Sequence, residues 1–230
     1  MTTTNYEHNI VLSTGEYNVV GTRPIRPDGT DKVTGRAQYG ADVTAAGLLF
    51  GKILRSPHAH ARIKSIDTSK AEKHPGIRAI VTSEDFPNTN EDQMVVLGEL
   101  SVNLKNLRDN ILASDKVLYK GQPVVGVVAD NVHIAEEALD LIDIEYETLP
   151  AVLTAPDGMK DNAPLLHEGM KTKELGEQTS KSSNVANHFQ HKLGDIDKGF
   201  EQADLVIERE FNTQTVHQGY IEPHNVTAFW

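Results

Sequence analysis

The order of strand-like and helix-like runs predicts an α+β protein built in more than one part. Three observations carry the prediction. Strand, helix, strand occurs twice before residue 150; a polar stretch rich in Pro, Gly, Asn, Lys and Ser follows; and strand-like runs resume after it.

Taken in order, residues 1–22 are polar and end in Gly21-Thr22, and they read as an N-terminal extension. Arg23-Pro24-Ile25-Arg26-Pro27-Asp28-Gly29 joins proline-fixed φ angles to an Asp-Gly turn pair, giving an extended lead-in. Leu48–Leu54 and Ala61–Ile66 are strand-like, and the Pro57-His58-Ala59-His60 corner between them predicts that they pair. Ser69–His74 starts with a capping residue and stops at Pro75-Gly76, so it reads as one short helix, after which Ile77–Thr82 is a strand.

Pro123–Ala129 is β-branched and almost continuously apolar, the pattern of a strand covered on both faces. Asp130 or Asn131 can cap the helix that follows. Its apolar side is Ile134, Ala135, Ala138, Leu139 and Leu141, with Glu136, Glu137 and Asp140 between them. Ile142–Glu147 then alternates apolar and acidic residues, as a half-buried strand does. From Ala155 to Gln190 apolar density falls, and Lys171–Asn184 has almost no core-forming residue, so a mobile linker is expected there. Gly194–Ala203 can form a short helix. Asp204–Thr215 reads as a long strand with Leu205, Ile207 and Phe211 along it, and Asn225–Trp230 as another, whose last residues belong inside a sheet completed by further polypeptide.

Composition narrows the chemistry. The 230 residues carry 22 Lys+Arg against 33 Asp+Glu, a net charge of −11, which argues against nucleic-acid binding because phosphate neutralisation needs a basic face. With 38% hydrophobic and 24% charged residues the chain can bury a real core. No apolar run approaches the roughly 20 residues of a membrane-spanning helix. Met1–His8 lacks the basic start and apolar centre of a secretory signal, so cytoplasmic residence is the expectation. Zero cysteines exclude disulfides, thiolate zinc, a cysteine nucleophile and cysteine-held iron–sulfur clusters in this chain. Redox chemistry here needs a borrowed cofactor. No repeat, Walker-type glycine loop or G-x-S-x-G elbow occurs.

Four groups of residues invite a functional reading. His58 and His60 would share a strand face, but with no third ligand nearby a turn-packing role outranks metal binding. His217, Glu222 and His224 are spaced H-x4-E-x-H, which is not the zinc-protease spacing. There Glu222 is a candidate acid, base or orienting group and Gln218 a candidate amide donor toward a cofactor, weighed against Glu222 capping or pairing in the core. A hydrolase built on His217 and Glu222 lacks an activated nucleophile or metal set. The acidic face of Glu136, Glu137 and Asp140 reads as solvated, and Arg23, Arg26, Lys32 and Arg36 read as an arm for docking onto a partner.

Several segments in order carry a resemblance. They are Val20–Asp28, Lys32–Tyr39, Leu54-Arg55-Ser56-Pro57-His58-Ala59-His60-Ala61, Pro75-Gly76-Ile77, Val117–Val124, Tyr146–Val152 and Gly194-Asp195-Ile196-Asp197. Together, from about Val20 to Trp230, the chain resembles the N-terminal part of the molybdopterin-binding large subunit of the xanthine dehydrogenase and aldehyde oxidase family, the molybdenum hydroxylases. The resemblance implies an α/β hammerhead domain over 23–155, a linker over 156–186 and the beginning of a molybdopterin-binding domain over 187–230. His217-Gln218-Gly219-Tyr220-Ile221-Glu222-Pro223 corresponds to the segment entering that second domain. The glycine-rich loop near the cofactor and the catalytic glutamate lie farther along such subunits, so no catalytic residue and no metal ligand is expected here, and Gln218 and Glu222 are the cofactor-binding candidates.

The implied function is a component of an oxidoreductase that hydroxylates an aldehyde, purine or N-heterocycle with oxygen from water, inactive as this chain alone. The implied cofactor is a molybdopterin-type molybdenum cofactor. The implied partners are the polypeptide carrying the rest of the molybdenum domain, an iron–sulfur subunit and often an FAD subunit. The alternative is a non-catalytic hammerhead module whose sheet edge a partner covers.

Overall fold

A computed structural model of the protein describes residues 17–90, 93–98 and 100–229. The structure divides into two units. The described parts of Met1–Ala45 and Gln214–Trp230 form one, and Ala46–Thr213 forms the other.

The first unit contains one short helix, α1 (Gly29–Thr34), where sequence predicts only an extended lead-in and a turn. Gly35 stops it in the left-handed region at φ 73°, a conformation open to glycine without strain. Asp28 anchors its start through charge. The Arg26 guanidinium hydrogen-bonds its carboxylate, Lys32 Nζ lies 2.8 Å away, and together they hold its pKa at about 2. Arg36 pairs with Asp31 at 3.2 Å. The expected docking arm therefore has Arg26, Lys32 and Arg36 already engaged by local carboxylates. At Gly40 a Cβ would meet Asn225 Oδ1 at 3.2 Å, so the C-terminal part of the unit passes close over the Tyr39–Asp42 turn. Much of the 1–22 extension, and Trp230, lie outside the described residues.

The second unit holds the strands β1 (Phe50–Arg55), β2 (Ala61–Asp67), β3 (Ile77–Val81), β4 (Met94–Leu97), β5 (Leu100–Asn103), β6 (Lys116–Val117), β7 (Pro123–Ala129), β8 (Asp143–Thr148), β9 (Lys171–Glu174), β10 (Glu177–Ser182) and β11 (Asn187–His188). Its helices are α2 (Ser69–Glu72), α3 (Leu104–Ile111), α4 (Val132–Leu139), α5 (Ala155–Gly158) and α6 (Ile196–Glu201). β7 is the centre of one antiparallel sheet, between β1 and β3, and β2 is the centre of a second, between β6 and β8. Each predicted strand–helix–strand run is present, as β2-α2-β3 and β7-α4-β8, and each crosses from one sheet to the other. The pairing is antiparallel throughout these two sheets because both runs exchange partners: β3 returns to β7, and β8 returns to β2.

The expected β1–β2 pair does not form. Ser56 takes the chain out of the first sheet instead: its N–H donates to the Gln122 carbonyl at 2.9 Å, and its carbonyl accepts from Gly121 N–H at 2.8 Å. The Pro57–His60 corner is therefore a crossing between sheets, not a hairpin turn. One core joins them, with Ala61 from β2, Val117 from β6, Val124, Val125 and Val127 from β7, and Ala71 and Ala138 from the helices. Burying this apolar cluster stabilises the unit by about 25 cal/mol per Å² of apolar area removed from water.

α4 sits against β1 and β7 through Ala135 and Ala138, whose small side chains let the helix lie close. Asn131 caps it, its Oδ1 accepting from Ile134 N–H at 2.9 Å. Gly76 makes room for it: φ is +88°, and a Cβ there would lie 2.7 Å from Ile134 Cδ1. For α2 the cap is Thr68, one residue earlier than sequence suggests, and Asp67 Oδ1 accepts the Ser69 N–H at 2.9 Å.

The stretch expected to be a mobile linker is built. β9 and β10 form a hairpin closed by Leu175 and Gly176, both at positive φ, and β11 adds in parallel on the other side of β9. Polar groups hold it where apolar ones are absent. Thr172 Oγ1 donates to the Val185 carbonyl at 2.7 Å, Thr179 Oγ1 to the Thr172 carbonyl at 2.9 Å, and Asn184 Nδ2 to the Gly158 and Pro164 carbonyls at 3.1 and 2.9 Å. A search for apolar periodicity misses this kind of sheet. It also misses the β4-β5 hairpin and α3.

α6 falls inside the helix expected at Gly194–Ala203, with Asp195 as its cap. Asp204–Thr215 and Asn225–Phe229 do not form the expected strands. Among the described residues no strand lies beside them, and a strand without a ladder partner leaves its backbone groups to water.

Candidate functional site

Gln218 and Glu222, the cofactor-binding candidates, lie in the first unit on irregular, exposed backbone. Gly219, at φ +70°, turns the chain there, and its N–H donates to His217 Nδ1 at 2.9 Å. Tyr220 and His224 meet edge to face with ring centroids 6.0 Å apart. Glu222 is exposed among the described residues. The candidates share one loop, but its geometry does not enclose a cofactor.

His58 and His60 diverge. His58 packs edge to face on Tyr146 at 5.0 Å between centroids, while buried His60 contacts the Pro150 carbonyl through Nδ1 at 2.7 Å. No cluster of three or more metal-ligating side chains occurs among the described residues. Among the described residues His58 makes a ring contact and His60 a main-chain contact.

A cleft of about 950 Å³ in the second unit brings together residues that sequence reasoning passed over. Lys116 Nζ reaches Glu168 at 3.1 Å and the Leu165 carbonyl at 3.4 Å; Lys105 pairs with Asp109 at 2.7 Å, and Ser114 Oγ donates to the same carboxylate at 2.9 Å. His167, half-buried beside them, has its pKa lowered by burial first and then by Lys116 and Lys105. Lys116 also lowers the pKa of Glu168. The cleft is a mixed-charge surface in which Lys105 and Lys116 are paired with carboxylates. His167-Glu168 lies in the stretch read as linker, so no periodic signal pointed to it. The Glu136 side of α4 is solvated as expected, with Lys52 as partner at 2.7 Å.

Two family models match the chain in succession. Residues 34–150 match the aldehyde oxidase and xanthine dehydrogenase a/b hammerhead domain, and residues 178–230 match the molybdopterin cofactor-binding domain. The chain belongs to the aldehyde oxidase and xanthine dehydrogenase family, whose members are molybdenum-containing oxidoreductases.

Among individual proteins it is similar to the carbon monoxide dehydrogenase large chain of Afipia carboxidovorans, with 37% identity over 82% of this chain and 23% of that one. A probable xanthine dehydrogenase component of Bacillus subtilis is 33% identical over 89% of this chain and 24% of its own length. The gamma subunit of the 6-hydroxypseudooxynicotine dehydrogenase complex of Paenarthrobacter nicotinovorans is 35% identical over 91% and 25%. The chain thus spans about a quarter of the length of these relatives. Among solved structures, the Cu,Mo-CO dehydrogenase matches with a TM-score of 0.61 and 34% identity, covering 80% of this chain and 23% of that one. Quinoline 2-oxidoreductase from Pseudomonas putida 86 matches with a TM-score of 0.52 and 36% identity over 62% and 18%. These relatives are named as large chains or as subunits of larger enzymes. Among the described residues no helix is long and apolar enough to cross a membrane.

Proposed function

We propose that this chain supplies the hammerhead portion and the first part of the molybdopterin-binding portion of a molybdenum hydroxylase large subunit. The division is 1–22 as extension, 23–155 as hammerhead domain, 156–186 as connecting segment and 187–230 as the start of the cofactor domain. The observation that carries the reading is the order of the two matched segments, 34–150 then 178–230, on one polypeptide. The proposed reaction takes a substrate C–H and water to C–OH, two protons and two electrons. The molybdopterin-type cofactor supplies the two-electron chemistry when bound.

This chain's proposed contribution is scaffolding and two contacts. Gln218 is the proposed amide donor and Glu222 the proposed acceptor toward the cofactor, in a site that other polypeptide encloses. The proposed electron path runs through iron–sulfur clusters, which these cysteine-free 230 residues do not hold, on an iron–sulfur subunit and often onward to an FAD subunit. The proposed compartment is the cytoplasm. The substrate class is an aldehyde, a purine or an N-heterocycle.

The test is oxidation of such a panel by the native complex containing this chain, in ¹⁸O-labelled water with an artificial electron acceptor. The expected product carries the label and appears only with acceptor present. A complex that oxidises no member of the panel, or whose product takes its oxygen from O₂, contradicts the proposal.

A further inference from the structure

We infer that the turn at 165–170 is a pH-released joint: it fastens the sheet of β9, β10 and β11 to the two-sheet body while His167 is neutral, and lets go when the imidazole takes up a proton. The inference stands on contacts within the second unit and not on the proposed function. Among the described residues, the hydrogen bonds and ion pairs between 161–188 and the two sheets are those of Lys116 Nζ with the Leu165 carbonyl at 3.4 Å and with Glu168 at 3.1 Å, and an Arg62–Glu168 approach at 4.0 Å. No residue of 161–188 is fully buried, so the attachment leans on these polar contacts. Lys116 opens β6 next to core residue Val117, and its side chain is only 13% exposed. A cation held that dry depends on its partners. On its other side the turn is bound to the sheet it carries: Leu166 N–H donates to Asn184 Oδ1 at 3.0 Å, and Met170 N–H to the His167 carbonyl at 3.1 Å.

His167 sits half-buried inside this joint, and the charges around it oppose its protonation. Lys116 from β6 and Lys105 and Asp109 from α3 act on it, and Glu168 is its chain neighbour. Arg62, Asp115 and Lys171 also line the cleft, so four cations meet three carboxylates there before His167 titrates. Buried His60, at the crossing between sheets, acts on Glu168. The carboxylate that acts on His167, Asp109, is already engaged by Lys105 Nζ at 2.7 Å and Ser114 Oγ at 2.9 Å. A protonated ring therefore adds a positive charge beside two ammoniums in a half-dry site, whereas release returns the ring to water. Burial and the two ammoniums hold its pKa below 6.5 in the docked state, so docking binds fewer protons than release. Acid below 6.5 then favours release, down to the docked pKa. Lys116 holds the Glu168 pKa below 4.5, so that carboxylate stays ionised through the window in which His167 titrates.

Hydrogen–deuterium exchange on the native complex containing this chain, at about pH 7.5 and about pH 5.5 with intrinsic rates divided out, tests this. Protection of amides 166–175 is expected to fall about threefold or more at the lower pH, while amides of β7 keep theirs within about twofold. His167→Gln, which keeps a neutral side chain in the turn, is expected to remove the pH response. His188→Gln, which removes the histidine paired with Glu174 on the same sheet, is expected to leave it in place. Glu168→Gln is expected to lower protection of 166–175 about threefold or more already at the higher pH, because the ion pair with Lys116 is gone. Equal protection at both pH values, the same fall in His167→Gln, or an equal fall in β7 overturns the inference, and so does a Glu168→Gln complex as protected as the wild type.

Discussion

Gln122 shows how one buried polar side chain ties the two sheets to the loops around them. It is 2% exposed; its Oε1 accepts from Leu118 N–H at 2.6 Å, and its Nε2 donates to the Asp109 carbonyl at 3.0 Å. Gln122→Ala strips both partners of their hydrogen bonds in a dry site, so a loss of about 3 kcal/mol in urea unfolding is expected. His167 makes a pH prediction of known sign. Its folded pKa lies below the ordinary 6.5, so the stability it contributes is full above 6.5 and is lost as pH falls through that folded value. Glu136, Glu147 and Glu168 are lowered from 4.5 by Lys52, Lys64 and Lys116, and their contribution is lost in the same sense below 4.5. Stability measured against pH should fall in two stages, and His167→Gln should flatten only the first. Sequence alone points to neither residue. A lone Gln beside Pro123 and a His in a polar stretch carry no periodicity, and their importance comes from what folding places around them.

Elements divide according to whether apolar side chains or polar groups build them. β7 and α4 are legible because Val124–Ala129 and Ala135–Leu139 carry their burial in their spacing. The β9-β10 hairpin is not legible, because Thr172, Thr179 and Asn184 hold it by hydrogen bonds that any solvated loop could also make. Its turn gives a prediction at this scale. Leu175 adopts φ 47°, left-handed backbone that costs a Leu roughly 1 kcal/mol, and it is exposed. Leu175→Asn should therefore raise stability by about 0.5–1 kcal/mol, read as an increase in Tm. Loss of the α4 cap in Asn131→Ala should cost about 1 kcal/mol in the same assay. The crossing at Ser56–His60 was also beyond sequence reasoning, because two strand-like runs around a Pro corner look the same whether they pair or part. Which happens is decided by β7 and β8, whose partners are far along the chain.

At the scale of the whole molecule, the fold class and the candidate site were legible to different degrees. The α+β class follows from two strand–helix–strand runs, and the family resemblance from segments such as Leu54–Ala61 and Val117–Val124 in their order along the chain. Gln218 and Glu222 were legible only as residue types in a polar cluster. They sit on exposed backbone among the described residues. The claim on which the rest depends is that the chain works as part of a molybdenum enzyme. Isolating the native complex through this chain and measuring metal and pterin tests it most directly. The account predicts about one molybdenum and one pterin cofactor per copy of the chain. A complex that contains the chain in full occupancy but neither molybdenum nor pterin contradicts it.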